Sequence, residues 1–127
     1  DKILSFWEPW APRYSERKSS LRYAFEHGFG TSVSCEPMLH SDRVKELFRD
    51  LEPFVTDSFW IGKMNNIRAR VPKGTPESAI SFIEQGQTKE KIVNIYEALR
   101  NEPKIRWKES IKAVVGLEVP EVAGLDI

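Results

Sequence analysis

Apolar residues follow two rhythms along this chain. Between Thr31 and Glu36 they alternate, with Thr31, Val33 and Cys35 set against Ser32, Ser34 and Glu36. That is the period of a strand, with one small apolar face and one face of hydroxyls ending in an acid. Gly28 and Gly30 lead into it. Pro37 has no N–H for a ladder, so pairing is expected to stop there and leave Glu36 at the C-terminal end of the strand. Two further apolar runs, Ile3 to Trp7 and Thr56 to Gly62, read as short buried strands. The first closes on Glu8-Pro9 and the second leads into Lys63-Met64-Asn65.

The other rhythm is helical. A helix is expected from Ser15 to about His27, with Leu21, Ala24 and Phe25 inward and Gly28 just past its end. Ser41 or Asp42 caps a second, in which Val44, Leu47, Phe48 and Leu51 form an i, i+3, i+4, i+7 stripe. Thr75-Pro76 opens a short helix with Ala79, Ile80 and Ile83 inward, and Gly86 ends it. Thr88 caps another, striped by Ile92, Ile95, Tyr96 and Leu99. Lys104 to Lys108 reads as a short strand or a turn. Ser110 to Val115 is a last helical piece before Gly116, and the tail from Leu117 to Ile127, with Pro120 and Gly124, has no period.

Strands alternating with helices predict parallel strands joined by right-handed crossovers. The expected fold class is therefore α/β: a partial (β/α) barrel of about three parallel βα units over residues 1–65. A helical extension, residues 66–127, packs on it within a single domain. In such folds ligands bind at the C-terminal strand ends. Evenly spaced Glu8, Glu36 and Lys63 are expected at one mouth, with Ser5, Ser34 and Asn65 nearby. Two carboxylates and an ammonium there can hold a polar ligand such as an amino acid or a ribose, or act as acid, base or electrostatic support. In the plainer alternative the two acids only end strands and pair with Arg or Lys. Three strands also leave a sheet edge exposed, which predicts self-association or strand swapping.

Composition narrows the field. At 127 residues there is room for one domain with a real core. Nineteen basic and nineteen acidic side chains cancel, so no global charge steers the chain to nucleic acid or membrane. No apolar run approaches the roughly 20 residues of a membrane helix, and no signal peptide is visible. The single cysteine rules out an internal disulfide and points to a reducing, cytoplasmic setting. Cys35 has neither a spaced histidine base nor a Cys/His cluster beside it, since His27 and His40 lie at a helix end and in a loop; it reads as a small buried hydrophobe. Trp7, Trp10 and Trp60 either stack on a flat ligand or pack between strand ends and loops. Arg68, Arg70 and Lys73, and Lys104, Arg106 and Lys108, read as solvated faces rather than phosphate grips.

The segment Leu4-Ser5-Phe6-Trp7-Glu8-Pro9-Trp10-Ala11-Pro12, with Arg17, Gly28 and Val33-Ser34-Cys35-Glu36-Pro37-Met38-Leu39, resembles the later part of the radical S-adenosylmethionine barrel. The likeness is to spore-photoproduct-lyase-like and DNA-repair-photolyase-like members, and it covers about Ile3 to Trp107. Trp60-Ile61-Gly62-Lys63-Met64-Asn65 and Lys104-Ile105-Arg106-Trp107-Lys108 belong to the same pattern. The resemblance implies a parent enzyme that binds a 4Fe–4S cluster and S-adenosylmethionine and generates a 5′-deoxyadenosyl radical. It places Ser5, Glu8 and Arg17 near the ribose or methionine part of the cofactor. Ser34 and Glu36, with Ile61 and Lys63, flank adenine or substrate. The CxxxCxxC cluster motif of the family is missing here. The chain by itself is thus expected to be inactive and to retain no cofactor. It reads as the C-terminal portion of the enzyme, its partner being the missing N-terminal half of the same barrel. The abrupt start on an apolar run fits that expectation. Two alternatives stand beside it: a stand-alone degenerate α/β binding module without catalysis, and a (β/α) hydrolase or isomerase fragment using Glu8 and Glu36 as acid and base.

Overall fold

The computed structural model describes residues 2–119 and 121. Within them lies a three-stranded, wholly parallel sheet in the order β1-β2-β3, formed by β1 (Ser32–Cys35), β2 (Ser58–Ile61) and β3 (Ile105–Trp107). Around it run α1 (Lys2–Trp7), α2 (Tyr14–Glu26), α3 (Val44–Leu51), α4 (Ile67–Arg70), α5 (Glu77–Gly86), α6 (Lys89–Leu99) and α7 (Glu109–Val115). The α/β class with parallel strands is as expected, but one strand is exchanged. Residues 3–7 form α1, and the third strand comes instead from residues 105–107, within the run Lys104 to Lys108 expected as a short strand or a turn but not as part of the sheet's βα units.

The exchange has a physical reason. A short, continuous apolar run fits a buried strand and a helix equally well by periodicity alone. Here Ile3, Leu4 and Trp7 take one half-buried helical face while Ser5 and Phe6 point outward. Glu8 N–H donates to Leu4 O at 2.7 Å, and Pro9 ends the helix. In Ile105-Arg106-Trp107 the alternation is strict: Ile105 and Trp107 are buried and Arg106 is half-exposed. That pattern is satisfied only by a strand with one covered face.

The helices lie where their apolar stripes place them, but several starts differ: α2 begins at Tyr14 rather than after Ser15, and no side-chain cap comes from Ser41 or Asp42 at α3 or from Thr75 at α5. Glu16 accepts from Arg13 N–H at 3.2 Å to start α2, and Gly28 sits at φ 78° just after it. Thr88 Oγ1 accepts from Lys91 N–H at 3.3 Å to cap α6. Gly116 at φ 81° ends α7. Phe25, expected inward, is instead exposed, its ring edge against Phe54. The expectation for the tail beyond Val119 lies, apart from Glu121, outside the described residues.

The core fills one face of the sheet. Phe59, Ile61, Ile105 and Trp107 meet Val44, Phe48 and Leu51 of α3, Ile92, Ile95 and Leu99 of α6 and Ile111 of α7. Tyr14 and Leu21 of α2 pack against the same cluster. Phe48 and Phe59, both wholly buried, meet edge to face with centroids 5.3 Å apart. At the N-terminal strand ends, Thr31 and Thr56 tie β1 to β2. Thr31 Oγ1 donates to Phe54 O at 2.5 Å and accepts from Thr56 N–H at 2.9 Å, while Thr31 N–H donates to Thr56 Oγ1 at 2.7 Å. No helix among the described residues is long and apolar enough to cross a membrane.

Candidate functional site

The second face of the sheet carries the polar chemistry. Pairing sets Ser32 beside Ser58, then Ser34 beside Trp60 beside Arg106. These side chains all leave the sheet on the side opposite Phe59 and Ile61, because successive strand residues alternate. Ser32 and Ser34 are exposed, whereas Ser58, Trp60 and Arg106 are half-buried. Ser32 Oγ and Ser58 Oγ lie 3.3 Å apart. The Arg106 guanidinium donates to the carbonyls of Pro103 and Ile105, at 2.9 and 3.0 Å.

At the C-terminal rim the face ends in an ion pair. Lys108 N–H donates to Ile61 O at 2.9 Å and continues the β2–β3 ladder, while Met38 N–H donates to Gly62 O at 2.9 Å, one residue past the ladder position held by Pro37, which has no N–H. Glu36 from the β1 side and Lys108 from the β3 side then reach over Gly62, which lies between them. Lys108 Nζ lies 3.4 Å from Glu36 Oε2 and 4.9 Å from the centre of the Trp60 ring. The ammonium is held by a carboxylate and an aromatic face together. Gly62 makes this crossing possible: a Cβ there would sit 2.8 Å from Glu36 Cγ and 3.1 Å from Lys108 Cγ.

The structure redistributes the residues expected to converge. Glu36 and Ser34 do lie on one polar face. Ser5 and Glu8 do not join them at a strand end, because residues 3–7 are helical. Ser5 is exposed on α1, and Glu8 Oε2 accepts from Arg17 Nη2 at 2.7 Å. Arg17 Nε also donates to Pro12 O at 3.0 Å, so Arg17 bonds both ends of the loop between α1 and α2. The Ile61 side chain is wholly buried among the helices and is core rather than ligand wall. Lys63 has the same parity as Ile61 and forms no ion pair with Glu36 among the described residues. It lines a separate groove with α4 and α5. The shared mouth of Glu8, Glu36 and Lys63 is therefore replaced by a rim of Glu36, Lys108 and Trp60.

Arg106 and Lys108, which the sequence suggests for a solvated face, join the polar face because residues 105–107 rather than 3–7 supply the third strand. The signal was present in the alternation of Ile105 and Trp107 with Arg106 and Lys108. Other candidates resolve simply. Trp10 is 83% exposed. Arg68 is taken up by Glu77 and Glu84. His27 stacks on Tyr23 and His40 meets the edge of Phe82. Burial pushes the Cys35 thiol up to about 11, so at neutral pH it is protonated and a poor nucleophile. No group of three or more His, Cys, Asp or Glu side chains that could hold a metal ion occurs among the described residues.

Compared with known protein families, characterised proteins and solved structures, the chain matches none.

Proposed function

We propose that this chain is a section of the wall of a radical S-adenosylmethionine barrel, with its polar sheet face turned to the barrel interior. One observation carries the reading: parallel strands in sequential order, helices packed on one face and polar side chains on the other. Helices cover both faces of a doubly wound sheet, whose strand order reverses, whereas in a barrel wall helices cover only the outer face and the inner face meets the rest of the barrel. Ser34, Trp60, Glu36 and Lys108 supply hydroxyl, indole, carboxylate and ammonium to that face. Such a set suits a ligand with a flat ring and charged ends, the character of S-adenosylmethionine. The Glu8–Arg17 pair braces the loop that precedes α2. The free edge of β1 is where the preceding part of the barrel would add its strand, or a second copy its own.

The cluster is a different matter. A 4Fe–4S group needs several thiolates, and this chain offers one thiol, half-buried and held protonated. These residues do not fit it, so the cluster ligands belong to a segment before Asp1, and the chain alone is inactive. The stand-alone binding module remains the second reading, favoured by the same polar face and the same lack of cluster ligands.

The coding sequence upstream of Asp1 separates the two. Three cysteines spaced CxxxCxxC in frame support the barrel reading, and a start codon immediately before Asp1 overturns it. Anaerobic treatment of the present chain with iron and sulfide is expected to leave it colourless. A stable brown cluster on it would show that the donor argument is wrong.

A further inference from the structure

A second site lies on the other side of the β2 end from the Glu36–Lys108 rim. Lys63, Met64, Asn65, Asn66, Arg68 and Gln87 are among the residues lining an open groove of about 800 Å³ between the strand exit and α5. Its floor is fixed. The Gln87 carboxamide accepts from Met64 N–H at 2.7 Å and donates to Met64 O at 2.9 Å. Lys63 N–H donates to Ser110 Oγ at 3.1 Å. Residues 63 and 64 are thereby held by side chains from the α5–α6 junction and α7, which lowers the entropy of ordering this part of the groove on contact.

The groove's two cations differ. Arg68 is saturated: Nη1 and Nη2 reach Glu77 at 3.0 and 2.5 Å, and Nε lies 3.1 Å from Glu84. Lys63, half-buried, has no carboxylate within 4.0 Å among the described residues. Asn65 and Asn66 are exposed, and neither carboxamide makes a hydrogen bond among the described residues. An ammonium and two carboxamides with free donors line this one groove. We propose that this groove binds a small oxyanion, a phosphate or carboxylate group, with the Lys63 ammonium as the charge partner and the Asn65 and Asn66 amides as hydrogen-bond donors. Charge-assisted hydrogen bonds to an ammonium are the strong ones; Arg68 with Glu77 and Glu84 is left with one negative charge in excess, and Glu84 lines the groove, so the Lys63 ammonium is the one charge there that draws an anion.

The test is a two-dimensional amide NMR titration of the full chain with inorganic phosphate and, separately, with acetate at constant ionic strength. Saturable shifts are expected at Lys63, Met64, Asn65 and Asn66 and at the Gln87 side-chain amide. The tighter of the two anions identifies the group. Lys63→Met is expected to weaken binding about tenfold or more, while Lys63→Arg, which keeps the charge, retains most of it. The same spectra report whether each variant is folded. Lys108→Met, on the other face, is expected to leave the shifts unchanged, which keeps this site distinct from the proposed barrel interior. Linear, unsaturating shifts with both anions, or unaltered binding in a folded Lys63→Met protein, would overturn the proposal.

Discussion

Replacing Gly62 by alanine isolates the rim from the rest of the fold. The added methyl would lie 2.8 Å from Glu36 Cγ, 2.9 Å from Glu36 Cδ and 3.1 Å from Lys108 Cγ. Carbon atoms in comfortable contact are about 3.5–4.0 Å apart, so Glu36 has to leave. It can do so at low cost, because the obstructing atoms belong to flexible side chains that are 39% and 36% exposed. Departure forfeits the Glu36–Lys108 pair, worth about 0.2–1 kcal/mol at that exposure. Against this, Gly→Ala restricts the unfolded chain and returns about 0.4–1 kcal/mol where the backbone conformation is compatible. Gly62 is not among the glycines at positive φ, so no backbone strain is added. The two effects nearly cancel, and Gly62→Ala is expected to shift stability by less than about 1 kcal/mol. The pair itself is read by a double-mutant cycle in urea denaturation. Glu36→Gln should cost a few tenths of a kcal/mol in the native background and nothing measurable beside Gly62→Ala. An equal cost of Glu36→Gln in both backgrounds would refute the claim that residue 62 must be bare for the pair to form. So would a loss above about 3 kcal/mol on Gly62→Ala, which would mean the rim is as rigid as the core.

Other consequences are equally direct. Thr31→Val removes the hydroxyl that serves Phe54 O and Thr56 N–H and should cost about 1–3 kcal/mol; Thr31→Ser, which keeps the hydroxyl, should recover most of it in the same urea experiment. The Cys35 thiol, raised from 9.0 to about 11 by burial, binds its proton more tightly when folded. Its contribution is therefore intact below pH 9 and is lost as pH rises from 9 through 11, by roughly 3 kcal/mol at most. A Cys35→Ala protein whose stability falls just as steeply across that window would contradict this. Hydrogen bonds from Lys18 and then Tyr14 hold the Asp50 carboxyl below its usual 3.8. Its stabilising effect is present above pH 3.8 and fades as pH falls through the lower folded value, so Asp50→Asn should flatten the acid limb of the unfolding curve.

Much of the architecture was legible because its signals are local. The Thr31 to Cys35 alternation gave both the strand and its faces, and the stripes of α3 and α6 named their buried residues. The caps at Thr88, Gly28 and Gly116 act where expected. What failed were features set by distant partners. Residues 3–7 form an apolar run too short to choose its own conformation, and their placement misled the site with them. Glu8 was assigned to a strand end but answers to Arg17, nine residues on, a contact that only the turn at Pro9 to Pro12 creates. Lys108 was dismissed as part of a solvated run, since nothing local reveals that β3 will lie beside β2 and set it across a glycine from Glu36. Lys63 is expected at one mouth with Glu8 and Glu36, but it lines the groove beside α4 and α5 instead.

The polar face itself is the claim on which the proposed function rests, and cysteine labelling measures it. In a Cys35→Ala background, Ser34→Cys is expected to react with a thiol reagent at nearly the rate of a free peptide, since Ser34 is exposed. If the chain is the barrel section proposed above, the same substitution in a polypeptide that carries the rest of that barrel should react at least tenfold more slowly. Equal, rapid labelling in both proteins would contradict the account, because Ser34 would then face solvent rather than an interior.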